Sequence, residues 1–127
     1  MFESIHHIAI ICSDYQKSKR FYVDKLGFDI IRETYREERD SHKLDLALDE
    51  TYLVELFSFP NAPERLSGPE AQGLRHIAFS VRNLDHVIEQ LTTKGIDVEP
   101  IRVDPTTNAR FTFLKDPDGL PIEIVES

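Results

Sequence analysis

The chain has a single cysteine, Cys12, among its 127 residues. One cysteine excludes an internal disulfide and fits a protein of the reducing cytoplasm, which is where we expect this chain to act. Its neighbours Ile10, Ile11 and Ser13 predict the end of a strand and a small, packed thiol. The local sequence offers no base or positive charge of the kind that activates a nucleophilic thiol.

Long apolar runs and basic blocks are also missing. No apolar stretch approaches the roughly 20 residues that a membrane-spanning helix needs, and the N-terminus has neither the basic region nor the apolar core of a signal. The net charge is −8, with 23 acidic and 15 basic residues, and the densest basic stretch is Lys17-Ser-Lys-Arg20. These absences argue against membrane and nucleic-acid partners.

What the sequence does contain is an internal repeat. Residues 5–11 read Ile-His-His-Ile-Ala-Ile-Ile, and residues 74–79 read Leu-Arg-His-Ile-Ala-Phe. Residues 52–57 read Tyr-Leu-Val-Glu-Leu-Phe, and residues 120–125 read Leu-Pro-Ile-Glu-Ile-Val. In each copy a His opens the first apolar run and a Glu interrupts the last one.

Both copies predict the same order of elements. Residues 5–12 and 74–81 are apolar runs typical of a first strand. A helix follows in each copy and ends at a glycine, Gly27 or Gly95, the residue type that best adopts the left-handed conformation after a helix. Three further strands complete each copy, at about 28–36, 42–49 and 52–59 in the first and 96–103, 110–115 and 120–126 in the second.

Helix caps and turns support this order. Ser13, with Gln16 three residues later, predicts a capping box for the first helix, and Asn83 predicts the cap of the second. The charged stretch 36–40 predicts a hairpin turn, and Asp116-Pro-Asp-Gly119 predicts a tight turn.

The predicted fold class is α+β, with two tandem βαβββ modules that form curved mixed sheets or half-barrels. The modules span 5–59 and 74–126, and a linker rich in proline and glycine occupies 60–73. Modules of about 60 residues are marginal alone, so we expect one domain over 1–127 with a shared core.

Four residues at matching positions of the repeat predict a metal site: His7, Glu55, His76 and Glu123. Strand alternation groups each of them with apolar neighbours, so we expect all four to point inward. A strand His taken singly is more often a core residue, and a strand Glu more often faces water. The matched set nevertheless favours a site, because imidazole and carboxylate are ligands of divalent metals and a buried carboxylate needs a partner.

The remaining histidines lack this matched placement. His6 lies beside His7 on the opposite face of the predicted strand, and the second copy has Arg75 at that place. We therefore interpret His6 as non-ligating. His42 and His86 have no counterparts and are expected to be exposed.

Taken together, these features resemble the vicinal oxygen chelate superfamily over nearly the whole chain. Phe21-Tyr22 with Leu26-Gly27-Phe28 resembles that family's FY…LGF helix exit, and Asp116-Pro-Asp-Gly119 with Glu123 resembles its DPDG…E ending. The His/Glu/His/Glu set most resembles the glyoxalase I branch. The resemblance therefore implies a glyoxalase/bleomycin-resistance fold.

The resemblance also implies a reaction and a cofactor. It implies a homodimer whose metal sites draw on both chains, with one divalent ion per site. Zinc or nickel are the first candidates, and cobalt, manganese or iron also accept this ligand set. The implied activity is that of a lyase or isomerase acting on a small substrate with vicinal oxygens through a metal-stabilised enediolate. Glu123 or Glu55 would act as the base, with Glu123 preferred.

Other functions in the same superfamily stay open. An Fe(II)-dependent dioxygenase needs two His and one carboxylate, so the second Glu argues against it. A metal-free binding or drug-resistance protein would have no use for four inward ligands. The sequence shows no glutathione pocket, and the fold alone does not choose among these functions.

Several side chains are candidates for contact with the substrate. Leu53, Phe57, Phe111 and Phe113 could form an apolar wall, although a plain core role explains them equally well. Arg102 and Arg110 flank the inner strands of the second module and could meet a substrate anion, although such side chains are more often simply exposed.

Overall fold

The computed structural model describes residues 1–127 and divides the chain into two compact units, Met1–Glu64 and Arg65–Ser127. Each unit contains one four-stranded sheet. No helix in the structure has the length and apolar character needed to cross a membrane.

The first unit has the predicted βαβββ order. Its strands are β1 (Ile8–Cys12), β2 (Asp29–Arg36), β3 (Ser41–Leu48) and β4 (Thr51–Ser58), and α1 (Tyr15–Lys19) continues as a π-helical segment over Arg20–Lys25. The strands are ordered β1-β4-β3-β2. Strand β1 is parallel to β4, and the other neighbours are antiparallel.

Helix α1 begins at a different cap from the one predicted. Asp14, not Ser13, is the N-cap, and its carboxylate accepts a hydrogen bond from the Lys17 backbone N–H at 3.1 Å. An ionised carboxylate is favoured at a helix N-terminus because the exposed N–H groups there carry partial positive charge. The helical segment ends as predicted before Gly27, which has φ +84°.

The core of the first unit lies on one face of its sheet. Leu44, Leu46, Val54 and Leu56 have no exposed surface, and α1 contacts β4. Cys12 is buried, and its thiol donates to the Phe57 carbonyl at 3.2 Å, so the predicted packed thiol is confirmed.

The second unit repeats the order. Its strands are β5 (Ile77–Val81), β6 (Arg102–Val103), β7 (Arg110–Lys115) and β8 (Pro121–Glu126), and its helix is α2 (Leu84–Thr93). The strand order β5-β8-β7-β6 matches that of the first sheet, with β5 parallel to β8. As predicted, the Asn83 side chain caps α2 by accepting from the His86 N–H, and Gly95 follows the helix with φ +80°.

Strand β6 is much shorter than the predicted 96–103. Pro100 has no N–H to donate to a ladder, which limits regular pairing there. The segment is held instead by the Glu99 N–H, which donates to the Phe113 carbonyl at 3.0 Å, and by the Thr112 hydroxyl, which donates to the Glu99 carbonyl at 2.6 Å. Two residues of pairing at the sheet edge therefore replace the longer strand.

The first strand of each copy also begins later than predicted. Residues 5–7 and 74–76 precede β1 and β5 and are outside the strands. His7 and His76 therefore lie in irregular segments just before the sheets, where strict alternation between two faces does not apply. The predicted fold class, α+β with two βαβββ modules, is confirmed.

Candidate metal centre

Glu55 and Glu123 occupy equivalent positions in their two sheets. Glu55 of β4 lies opposite Ala9 of the parallel strand β1, and Glu123 of β8 lies opposite Ala78 of β5. Each Ala follows its copy's His by two residues. Two parallel strands in this register place the His, which lies just before the first strand, near the Glu in the middle of the second strand.

Each unit does bring its His to its Glu. The Nε2 atom of His7 lies 3.2 Å from an Oε2 of Glu55, with side chains 35% and 12% exposed. The Nε2 atom of His76 lies 3.9 Å from Oε1 of Glu123, with side chains 25% and 17% exposed. Neither unit by itself assembles three or more His, Cys, Asp or Glu side chains into a metal-binding group. Each unit pairs one imidazole with one carboxylate.

The sequence predicted that all four residues point inward. Glu55 and Glu123 lie on the face of their sheet that is opposite the buried core residues of the same strand. Glu55 lies between Val54 and Leu56, which face the helix-covered core, so Glu55 faces the other side of the sheet. On that side Ile11 is 55% exposed. Apolar residues on both faces of these strands made the open face resemble a core face in the sequence.

The Glu55 carboxylate is held by other polar side chains. The Tyr52 hydroxyl lies 2.5 Å from Oε2 of Glu55 and 2.9 Å from Oδ1 of Asp45. The Lys43 ammonium lies 3.0 Å from Asp45 and 3.9 Å from Glu55. Burial raises the pKa of Tyr52, and the hydrogen bonds to Glu55 and Asp45 raise it further. Tyr52 therefore stays a neutral donor at physiological pH and fixes the position of Glu55.

Asp45 and Tyr52 are residues that the sequence reasoning missed. Asp45 lies opposite Glu55 in β3 and is only 4% exposed. A charged residue between Leu44 and Leu46 was the available signal, because alternation in β3 assigns it to the face of Glu55. Tyr52 had no such signal. It joins that face through a register shift between Leu46 and Ala47, which no pattern in the sequence marks.

The His76–Glu123 pair has an aromatic side chain, Phe113, beside it instead. Phe113 occupies the place opposite Glu123 that Asp45 occupies opposite Glu55. The His76 ring contacts Phe113 edge to face at a centroid distance of 5.2 Å. The Oε2 atom of Glu123 is buried and has no hydrogen-bond partner. A buried carboxylate oxygen without a partner is costly, and a cation would satisfy it.

His6 does not face away from this site, contrary to the sequence interpretation. Its Nδ1 lies 2.8 Å from Nδ1 of His7, and its ring centroid lies 5.3 Å from that of Tyr52. The two histidines precede β1, so the alternation that separated them in the prediction is absent. His6 therefore contacts His7, a proposed metal ligand, at Nδ1, the His7 ring nitrogen that is not directed at Glu55.

A cavity of about 580 Å³ lies within the second unit beside its His–Glu pair. Its lining includes Phe111 and Phe113, which were predicted as an apolar wall, together with His76 and Glu123. This volume is in the range of small-molecule sites, about 300–1,000 Å³. Leu53 and Phe57 belong to the first unit, where Phe57 stacks on Phe59.

Other candidates have structural roles. Arg110 contacts Asp85 at 3.1 Å and Glu126 at 3.2 Å, and the hydrogen bond to Asp85 raises its pKa above the usual value. His86 is exposed, as predicted. His42 is half-buried rather than exposed, because its ring stacks on Tyr15 at 4.2 Å.

Comparisons with known proteins show which family the chain is similar to. A sequence profile of the Glyoxalase/Bleomycin resistance protein/Dioxygenase superfamily matches residues 4–124. The chain is 64% identical over 126 residues to uncharacterized protein YwkD of Bacillus subtilis, covering 99% of this chain and 98% of that protein. It is 30% identical over 131 residues to lactoylglutathione lyase of Salmonella typhimurium, covering 95% of this chain and 90% of the lyase.

A solved structure is similar along the whole length. The crystal structure of a glyoxalase family protein from Enterococcus faecalis has a TM-score of 0.92 and 50% sequence identity, and 98% of each chain is covered. This agreement extends over both modules of the repeat.

Proposed function

Because the chain belongs to the Glyoxalase/Bleomycin resistance protein/Dioxygenase superfamily, we propose that it is a metal-dependent lyase or isomerase of the glyoxalase I kind. The proposed substrate is a small molecule with two adjacent oxygens. The observation that carries this proposal is the repeated His–Glu pair, which each sheet builds in the same register. The 30% identity to a lactoylglutathione lyase supports the reaction class.

The residues present fit a divalent cation. His7, Glu55, His76 and Glu123 are the proposed ligands of one ion. Two imidazoles and two carboxylates suit zinc or nickel, as well as cobalt, manganese and iron. The partnerless buried Oε2 of Glu123 is a further reason to place a cation there. When bound, the cation supplies Lewis-acid stabilisation for negative charge on a substrate oxygen.

The two carboxylates have different surroundings, and we propose different roles for them on that basis. Glu55 accepts from Tyr52 and lies near Lys43 and His7, so its position is fixed from several sides. Glu123 has one polar neighbour, His76 at 3.9 Å, and one oxygen without a partner. Glu123 is therefore the carboxylate free to move and to exchange a proton.

Glu123 is the proposed base for the transfer between carbons. It takes the proton from the carbon that bears the hydroxyl and returns it to the neighbouring carbonyl carbon, while the hydroxyl proton passes through solvent to the former carbonyl oxygen. One carbon is oxidised and its neighbour is reduced, so the substrate undergoes no net redox change. Phe111 and Phe113 line the cavity beside it. Bound substrate displaces water from such a cavity, and the negative charge that forms on the substrate then interacts more strongly with fixed positive groups.

The test is turnover by protein that has been stripped of metal and then reloaded. Zinc, nickel, cobalt, manganese and iron would each be added singly, and the hemithioacetal of methylglyoxal and glutathione would be supplied as substrate. A second series would replace glutathione by a small thiol, because the sequence shows no glutathione pocket. We expect turnover only after reloading. Equal turnover with and without metal, or none with any metal and either thiol, would overturn the proposal.

One observation favours a second candidate, an Fe(II)-dependent dioxygenase. Tyr52 already donates a hydrogen bond to Glu55. If Glu55 is for that reason not a metal ligand, His7, His76 and Glu123 remain as the two-histidine, one-carboxylate set of such enzymes. In that case Glu55→Gln would keep its iron and its activity. Oxygen consumption with a catechol substrate, measured against an anaerobic control, separates this candidate from the first.

A further inference from the structure

We propose that the cavity of the second unit recognises its substrate through an anionic group, a carboxylate or a phosphate, held by Arg102, with Lys115 adding positive charge to the same cavity. The inference rests on the proposed function for the other end of the substrate, where the adjacent oxygens meet the His76 and Glu123 end of the cavity. The contact with the anion itself needs no metal, so the two ideas are tested separately.

The charge of the cavity differs from that of the chain. The whole protein has a net charge of −8. The cavity lining nevertheless has more basic than acidic side chains, namely Arg65, Arg75, Arg102 and Lys115 against Glu70, Glu99 and Glu123. The lining therefore has an excess of one positive charge in a chain that is strongly acidic overall, which favours anions at this site over the rest of the surface.

Two of the four basic residues are occupied in shaping the cavity wall. Arg65 donates to the carbonyls of Leu74 and Arg75 at 3.2 and 2.8 Å. Arg75 in turn is paired with Glu70. Arg75 also contacts Nδ1 of His76 through Nη1 at 3.1 Å, so both guanidinium groups are engaged by the segment before β5.

Arg102 is held differently. Its guanidinium lies over the rings of Phe111 and Phe113, 5.1 and 5.3 Å from their centroids. Its ion pair with Glu99 is 3.5 Å long, and both side chains are more than half exposed, so water and salt weaken it. Stacking fixes the plane of the guanidinium and leaves its N–H edge available for a planar anion.

Lys115 adds a second positive charge to the cavity lining, on the other side of Phe113 from Arg102, because Arg102 lies opposite Phe111 and Lys115 lies opposite Pro121. It follows Phe113 by two residues in β7, so both side chains project from the same face of the strand. Lys115 is exposed, as a group that meets a ligand from solvent should be.

The reacting end and the anion end are within reach of one small molecule. The Phe113 ring contacts His76 at 5.2 Å and Arg102 at 5.3 Å, so the two ends share one aromatic residue. The cavity of about 580 Å³ has room for a compact ligand. The geometry therefore points to an oxygenated acid or a phosphate ester as the substrate class.

The experiment compares charged and neutral ligands of similar size by calorimetry. Glycerol 3-phosphate and 3,4-dihydroxybutyrate each carry a vicinal diol and an anion, and glycerol and 1,2-butanediol are their neutral counterparts. Wild-type protein is measured free of metal and loaded with zinc. Arg102→Gln is the test variant, and Arg82→Gln is its control, because Arg82 is exposed on the same unit outside the cavity lining.

We expect at least one anion to bind about tenfold or more tightly than its neutral counterpart, with and without zinc. Arg102→Gln should remove most of this preference, Lys115→Gln should reduce it, and Arg82→Gln should leave it intact. Added sodium chloride should weaken the anion and not the neutral diol. The anion with the larger gain identifies whether the site prefers carboxylate or phosphate.

Equal affinities for charged and neutral ligands, or a preference that survives Arg102→Gln, would overturn the anion site even if metal-dependent turnover is found. Anion binding that depends on Arg102 in a protein without metal-dependent turnover would leave the anion site standing and remove the proposed function.

Discussion

The Nδ1 atoms of His6 and His7 lie 2.8 Å apart, while Nε2 of His7 lies 3.2 Å from Glu55. The two ring nitrogens of His7 therefore have separate tasks. One is in contact with a neighbouring imidazole, and the other is directed to the proposed site. A histidine that binds a metal through one nitrogen is usually oriented by a hydrogen bond at the other.

This relationship predicts that His6 positions His7. His6→Ala should weaken metal affinity by about 10–100-fold without abolishing binding, since outer contacts of this kind have that effect. His7→Ala should lose binding more completely, because it removes the ligand itself. Competition with a chelator of known affinity measures both values. His86→Ala, a change at an exposed histidine of the second unit, is the control and should match wild type. A His6→Ala protein with unchanged affinity would contradict the positioning role.

A second prediction concerns Tyr52. Tyr52→Phe removes the hydroxyl that lies 2.5 Å from Glu55 and 2.9 Å from Asp45, which leaves two largely buried carboxylates without this donor. The free energy of unfolding should fall by about 1–3 kcal/mol. Urea unfolding of the metal-free protein measures it. Tyr35→Phe removes an exposed hydroxyl that donates to Asp40, and it should change stability much less. Equal losses in the two variants would show that Tyr52 has no special role.

A third prediction separates the two carboxylates. Glu123→Gln should lower kcat by about 10²–10⁴-fold, the usual contribution of a general base, because an amide cannot accept the proton. A neutral amide is a weaker metal ligand than a carboxylate, so both Glu123→Gln and Glu55→Gln should bind metal less tightly. When saturated with metal, Glu55→Gln should recover turnover and Glu123→Gln should not, because only Glu123 is the proposed base. Metal analysis alongside single-turnover kinetics distinguishes the two effects. Full activity in Glu123→Gln would assign the base elsewhere.

A fourth prediction concerns the turn before β8. The Asp116 carboxylate accepts from the backbone N–H groups of Asp118 and Leu120, both at 2.9 Å, and the side chain is 5% exposed. Asp116→Ala leaves both donors unpaired and should cost about 1–3 kcal/mol of stability. Asp97→Ala, at an exposed position of the same unit, is the matched control. Thermal unfolding of the two variants compares them, and similar midpoints would contradict the prediction.

The architecture of the chain could be predicted well from the sequence because the repeat contains residue types with strong local conformational preferences. Glycines with positive φ end both helical segments, Asn83 caps α2, and β-branched residues are concentrated in β1 and β8. Membership of the superfamily, inferred from the FY…LGF and DPDG…E motifs, is confirmed by the profile match over residues 4–124.

The surroundings of the site were harder to predict, because they depend on breaks in regular structure. His6 was placed on the wrong side because β1 begins at Ile8, after both histidines. Tyr52 reaches Glu55 only through the register shift in β3 and β4, which depends on tertiary pairing and has no sequence signature. The sequence was enough to propose the four repeat-matched residues as a site, which stays a prediction, whereas the contacts that distinguish Glu55 from Glu123 could not be predicted from it.

The proposed homodimer gives a fifth prediction. If each metal site draws on two chains, mixing inactive His7→Ala and His76→Ala chains should restore activity, because one site of a mixed pair recovers all four ligands. Subunit exchange would be confirmed by mass. Exchange without recovery would rule out a site shared between chains while leaving the four ligands in place.

The most direct test of the central claim is metal stoichiometry. Metal-free wild-type protein would be titrated with cobalt(II), and bound metal would be counted after removal of excess. The account predicts one tightly bound ion per chain, and loss of that ion both in His7→Ala and in His76→Ala, because both pairs serve the same site. Binding that survives either substitution at full affinity, or no tight binding in wild type, would contradict it.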